Sequence, residues 1–361
     1  MRFVRLLALA GWLSLQALVP TVALGSSASK AACPSQDPPP VLTVPGRTGS
    51  VAGAGGLSIR RSLAIPGRID SVLTLPSGQV AALVGSVSSP IRFLPHDDLL
   101  RVTLSSGAIQ RITLPPYVVP PGLAASSGGL AAVVDDVLFR MAGAGRLVVR
   151  HPLDMAAVGW PAAVTADSSG RLYVAGQKAS AWSAQVEALN PLGKVLWRAP
   201  LGLTHAGIWV GMAGPSELAA YLPDAHDAQG TLALFDTHAG RLGASYALPA
   251  APLAIDAARG LLYLSTDGTI ETLALGSGRP LFTVPGAGPL ALDSSSGSVA
   301  FMRGNEVVMA APQTLRTEAA LWLPGVITLT FMPDDTLLAG VGHRMDEIVP
   351  RDSAAPTVVG R

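Results

Sequence analysis

The chain has 361 residues, of which 49% are hydrophobic and 14% charged, with 39 Gly, 30 Pro and one Cys; this excludes a long coiled coil, an all-helical bundle and a disordered chain. Lys and Arg number 25 against 24 Asp and Glu, with no basic run, so the concentrated cationic face that nucleic acid needs is absent. A single cysteine excludes an intrachain disulfide framework and a cysteine-cluster zinc site.

The first segment reads as an address. Met1-Arg2-Phe3-Val4-Arg5 is a short basic start, and an apolar core follows to Gly25, broken by Pro20. Ala23-Leu24-Gly25 satisfies the small-x-small rule for signal peptidase, so residues 1–25 are expected to be a signal peptide removed on export. The alternative is an uncleaved anchor helix, since Leu6 to Leu24 is just long enough to span a bilayer, although Gln16 and Pro20 weaken it. No later segment is long and apolar enough to span. Residues 26–56 read as a lead-in rich in Pro, Gly and Ser. Within it Ala31-Ala32-Cys33 resembles a bacterial lipoprotein acceptor. Lys30 stands where that motif has an aliphatic residue, so the expectation is no lipid, with envelope anchoring through Cys33 as the alternative. The expected location is periplasmic or secreted.

From about residue 65 to the end one pattern recurs. An apolar run meets a turn of Asp, Ser or Gly, a second apolar run leads into a variable loop, a third turns through Gly, and a fourth ends near a Pro. Residues 251–286 and 287–325 show the whole unit. Each opens on Pro-Leu-Ala-x-Asp, places Gly260 or Gly297 before its second run and stops at x-Pro-Gly. Looser copies occupy 69–115, 117–153, 158–201 and 205–249, and a copy short of one strand occupies 326–350. Spacings of roughly 35–48 residues match four-stranded propeller blades, and the Gly, Asp and Ser punctuation matches antiparallel hairpins. Consecutive apolar residues suit strands covered on both faces. A fixed period disfavours an ordinary β-sandwich. The expected fold is all-β, a seven-bladed propeller over 57–361. An open last blade would expose a sheet edge, so 57–66 is expected to supply its missing strand, with 357–361 as the alternative.

Leu172-Tyr173-Val174 and Leu262-Tyr263-Leu264, with Asp256, Asp293, Gly260 and Gly297 at the preceding turns, resemble YVTN-type β-propellers. That superfamily includes quinoprotein amine dehydrogenase β-chains. The resemblance covers most of 57–350 as repeat rhythm and implies a fold. It does not imply an activity, because this fold hosts enzymes, scaffolds and binding modules.

In such a fold the second-to-third-strand loops and the links between blades share one face. His96, His226 and His343 fall in the former, beside Asp98, Asp227 and Asp346, and His205 falls near a link. These seven residues form the candidate top-face ligand or metal site, because imidazole with carboxylate can ligate a divalent ion or exchange protons. The competing reading is solvated loop polarity, since no His-x-x-His or His-Glu-x-x-His spacing is present. No Gly-x-Ser-x-Gly, P-loop or Cys-x-x-Cys-His motif occurs, so no catalytic residue and no cofactor are assigned. Trp182, Trp209 and Arg344 are the candidate interface residues. The leading expectation is a non-catalytic binding module or scaffold that takes a protein partner on its loop face. The alternative is a lactonase, lyase or quinone-linked oxidoreductase with a metal or cofactor at the channel mouth. A structural envelope protein is the third reading.

Overall fold

The computed structural model describes residues 55–85, 97–114, 122–126, 129–134, 137–141, 147–152, 163–178, 183–204, 207–224, 229–293 and 295–351. The expected signal peptide, Cys33 and the alternative closing segment 357–361 lie outside them. Every strand or helix element among the described residues is a strand, and no helix there is long and apolar enough to cross a membrane.

β1 is Gly55–Ala64. Five four-stranded antiparallel sheets follow in chain order. The first is β2 (Arg68–Thr74), β3 (Val80–Gly85), β4 (Asp97–Thr103) and β5 (Ala108–Thr113). The second is β6 (Gly122–Ser126), β7 (Gly129–Val134), β8 (Val137–Met141) and β9 (Leu147–Pro152). The third is β10 (Ala163–Ala166), β11 (Leu172–Lys178), β12 (Ser183–Leu189) and β13 (Val195–Leu203). The fourth is β14 (Trp209–Gly214), β15 (Glu217–Pro223), β16 (Gly230–Asp236) and β17 (Leu242–Leu248). The fifth is β18 (Pro252–Asp256), β19 (Leu261–Thr266), β20 (Thr269–Ala274) and β21 (Pro280–Pro285). The remaining strands are β22 (Ala287–Leu292), β23 (Val299–Arg303), β24 (Glu306–Ala310), β25 (Thr317–Trp322), β26 (Val326–Phe331), β27 (Leu337–Val341) and β28 (Arg344–Pro350). With β1 they form one eight-stranded sheet, in the order β22-β23-β24-β25-β1-β28-β27-β26.

This corrects the expectation of seven separate sheets. Among the described residues there are five four-stranded sheets and one of eight strands. The cause is local to β1. From Leu57 to Ala64 it pairs antiparallel with β28, but its first two residues, Gly55 and Gly56, run parallel to Ala319 and Ala320 of β25. Two backbone partners on opposite edges of one strand fuse what the repeat pattern reads as two units. The same pairing brings the strand start two residues ahead of the boundary drawn at 57.

The second strand of each sheet is the most apolar, and the structure covers it on both faces. β3, β7, β19 and β27 are buried almost end to end. Tyr173, Tyr221, Tyr263 and Phe301, each on a second strand, are the largest fully buried side chains. Each such side chain contributes roughly 1.5–3 kcal/mol of burial free energy. The fourth strands differ: β17 and β21 are exposed along most of their length. Sheets that radiate from a common axis diverge outward, so cover falls from the first strands to the last.

The first strands meet one another in sequence. β2 contacts β6, β6 contacts β10, and so on through β14, β18, β22 and β26, which returns to β2. Apolar clusters fill the gaps between sheets. The gap between the end and the start of the chain holds Leu63, Ile69, Val84, Leu338 and Met345. Asp267 and Gly268 join β19 to β20 with φ of 48° and 77°, the left-handed pair that a two-residue hairpin turn requires.

Trp197 of β13 lies over the turn between β16 and β17, and its Nε1 donates to the Thr237 carbonyl at 2.8 Å. Gly240 in that turn has φ of +65°, and a Cβ on it would stand 2.5 Å from the Trp197 ring. Gly240→Ala is therefore expected to lower unfolding free energy by about 1–3 kcal/mol, from backbone strain and overpacking together. Urea denaturation checks this, and an unchanged midpoint would contradict it.

Candidate functional site

Strand order fixes which connections share an end. The first-to-second and third-to-fourth turns lie at one end of the sheets. The second-to-third turns and the links between sheets lie at the other. At this second end the connections are unequal. The first four sheets own the segments 86–96, 114–121, 153–162, 179–182, 204–208 and 224–229. In the rest of the molecule the second-to-third turns are the pairs Asp267-Gly268, Gly304-Asn305 and Gly342-His343, and the links are at most three residues. The longer intervals between strand ends thus belong to the first four sheets, although the second-to-third interval of the second sheet is again a pair, Asp135-Asp136.

Of the seven candidate ligand residues, Asp98, His343 and Asp346 lie among the described residues. His96, His205, His226, Asp227 and Trp182 lie outside the described residues. Asp98 was expected in a loop but is in β4, where its buried carboxylate pairs with the Arg111 guanidinium of β5. Asp346 was also expected in a loop and is in β28, fully buried. It accepts from Ser62 Oγ of β1 at 2.6 Å and from Arg344 Nε at 2.8 Å. His343 does sit on the turn, with its side chain exposed, and its carbonyl accepts from the Ile65 backbone N–H at 2.8 Å. Neighbours on the hairpin thus part ways: the imidazole faces solvent, while the carboxylate turns inward to bond β1.

Two of the interface candidates, Trp209 and Arg344, fall on described residues. Trp209 is half-buried in the apolar cluster around Tyr221 and Leu232, and its ring lies where a side chain on Gly211 would be. Arg344 is committed to Asp346. Among the described residues, no group of three or more His, Cys, Asp or Glu is placed to hold a metal ion.

The carboxylates that sequence reasoning missed, or placed in loops, share a role. Glu187 of β12 is fully buried and meets Arg198 Nε of β13 at 2.6 Å. Glu347 of β28 is nearly buried and pairs with Arg60, while Arg61 Nε stands 3.6 Å from its second oxygen. For Asp98, Glu187 and Glu347 a half-exposed arginine from the outer strand neutralises an acid on the third strand, whereas Asp346 meets Arg344 of its own strand. A buried carboxylate costs several kcal/mol unless paired and hydrogen-bonded, so these arginines are part of the fold.

The opposite end is braced from sheet to sheet. Arg140 donates to the Gly170 carbonyl at 3.0 Å, Arg259 to that of Ser296 at 2.7 Å, and Tyr263 to that of Pro312 at 3.1 Å. Tyr246 reaches the Leu275 carbonyl and Arg61 that of Leu104. Turn aspartates complete this end. Burial pushes the Asp293 carboxyl up, but hydrogen bonds from Ser296 and Ser295 outweigh it and hold the group at about 2. Burial pushes the Tyr173 hydroxyl up to about 12, reinforced by its hydrogen bond to Asp167. The first strands, which line the axis, carry three charged residues among the described positions: Arg68, Asp70 and Asp256. Asp256 is buried against Arg259. The rest are mainly Ala, Gly, Thr, Leu and Val.

No family model matches the chain, and no curated protein matches it. Solved structures do. A streptogramin B lyase aligns with a TM-score of 0.58 at 13% identity, covering 84% of this chain and 97% of that one. Hydrazine synthase of Kuenenia stuttgartiensis aligns at 0.57 and 12%, covering 81% and 96%. BBS1N, solved in complex with ARL6DN, aligns at 0.54 and 15%, covering 83% and 99%. The fold is a β-propeller. At these identities the likeness extends to the propeller fold alone.

Two outcomes follow from the buried and turn carboxylates. Asp346→Ala is expected to cost ~2 kcal/mol, the worth of hydrogen bonds to a charged group, and a double-mutant cycle with Ser62→Ala should show coupling; additive losses would contradict the bond. The Asp293 carboxyl is held below its ordinary value of 3.8, so its stabilisation is present above that value and is lost as pH falls toward about 2. Thermal unfolding of Asp293→Asn across that window should show a shallower acid loss than the unmutated chain.

Proposed function

We propose that this chain is an exported, non-catalytic propeller of seven blades that binds a protein partner through the end carrying the long connections. The gathering of long connections on the first four sheets carries this reading. Rigid repeats free their loops to vary, and recognition in such folds belongs to loops on a fixed scaffold. The axis residues support it, because small and apolar side chains offer little for acid–base chemistry or ion binding. The complex of BBS1N with ARL6DN supports it by example, as a propeller of similar size engaged with a protein. The count of seven is supported by the closed order of first-strand contacts, if the eight-stranded sheet is taken as two blades that share β1. Export is supported by the basic, apolar and small-residue succession in 1–25.

The test is capture from the native envelope with the mature chain as bait. Replacing 86–96 by an Asp-Gly turn should abolish capture, while a change at the tight Gly342-His343 turn should leave it intact. Capture retained in the first variant, or lost only in the second, would overturn the loop assignment. N-terminal sequencing of exported material should begin at Ser26; a retained leader would overturn cleavage.

A further inference from the structure

The outer strands differ in how their free edges are guarded. An unpaired edge presents backbone donors and acceptors to any other extended chain, and proteins blunt it with charge, proline or a covering segment. β5 carries Arg111, and β13 carries Arg198 and Pro200. β21 is bounded by Pro280 and Pro285, and β25 is joined by β1. β17, with the sequence Leu-Gly-Ala-Ser-Tyr-Ala-Leu, has none of these, and its one irregularity is a bulge at Gly243, near its start, where Leu242 pairs with Phe235 and Ala244 with Leu234. Among the described residues it pairs with β16 alone, and five of its seven residues are exposed.

A second feature converges on the same place. Among the described residues the exposed large apolar side chains are Leu192, Leu196, Leu203, Leu242, Leu281, Phe282 and Trp322. All but Trp322 belong to the sheet of β17 and to the two sheets on either side of it. An uncharged edge therefore runs through the middle of an apolar belt.

We propose that β17 is a self-association edge, and that its occupant is β17 of a second copy, paired antiparallel about Ser245. The strand is nearly self-complementary in that register. Leu242 falls opposite Leu248, Gly243 opposite Ala247, Ala244 opposite Tyr246, and Ser245 opposite itself. No charge opposes a like charge, and the flanking Arg241 meets Pro249. The two four-stranded sheets become one continuous sheet across a two-fold axis, the closed, isologous arrangement that limits growth to a dimer. Leu196, Leu203, Leu281 and Phe282 supply the apolar flanks that an edge pairing of one short strand lacks by itself. The edge lies on the outer rim, so this contact is independent of the loop-end reading.

Sedimentation of the mature chain and disulfide mapping in a Cys33→Ser background test this. The parent chain should sediment as a dimer at micromolar concentration. Ala247→Lys, at an exposed position, should lose the dimer with an unchanged far-UV circular dichroism spectrum and a melting temperature that no longer depends on protein concentration. Ser245→Cys should oxidise to a covalent dimer, because directly opposed residues bring their Cβ atoms within about 4.5–5.5 Å. Leu242→Cys, equally accessible but opposed by Leu248, should not. A monomeric parent, a dimer that survives Ala247→Lys, or equal cross-linking at positions 242 and 245 would overturn the proposal.

Discussion

Arg60 and Glu347 stand 287 positions apart in sequence, and they meet because β1 lies along β28. The other sheets are built from neighbouring hairpins and can assemble locally. The last one waits for both ends of the described chain. Closing so long a loop is entropically unfavourable, though the cost grows only slowly with length. What offsets it is concentrated at the seam: seven register pairs with β28, the Ser62–Asp346 hydrogen bond, the paired Glu347, and an apolar cluster shared with the first sheet. Because apolar faces elsewhere are covered only by neighbouring sheets, any opening of the seam uncovers Ile69 and Leu338 as well.

The two ends of the propeller then divide the work. At one end the second, third, fourth and fifth sheets each send a side-chain donor into a backbone carbonyl of the next, from Arg140, Trp197, Tyr246, Arg259 and Tyr263. These bonds fix the angle between sheets, and their donors are long side chains that cross a gap too wide for backbone pairing. At the other end, connection length is free to differ from sheet to sheet. Stiffness at one end is what allows variety at the other.

Much of the fold could be read from the residues because it repeats. The runs around Tyr173 and Tyr263 mark fully covered second strands, and the spare apolar run before residue 67 marks a strand without a local partner. The site was less legible, for a physical reason. Asp98 and Asp346 read as loop residues because polarity suggests solvent. Their burial depends on Arg111, Ser62 and Arg344, and the bond to Ser62 depends on a strand from the far end of the chain. Glu187 and Arg198 were equally hidden, since they face each other only through a one-residue bulge: Leu189 pairs with Val195 but Ala188 with Trp197, and an unbroken register would set Glu187 opposite Trp197 instead. The packing of the Trp209 ring over Gly211 was not legible either, because composition does not say which way a ring turns. The fusion of two repeats through Gly55 and Gly56 left no mark in the pattern at all, since two glycines ahead of an apolar run resemble any linker.

The double role of those glycines bears on where the domain can be cut. A boundary drawn at the first complete repeat would fall after residue 67 and discard β1. That strand covers two edges at once, β28 along its length and β25 at its tip. Its removal would bare backbone donors and acceptors on both, with fresh hydrophobic surface beside them. Such a truncated product is more prone to clump than merely to melt earlier, and the natural unit for expression or transplantation begins upstream of Gly55.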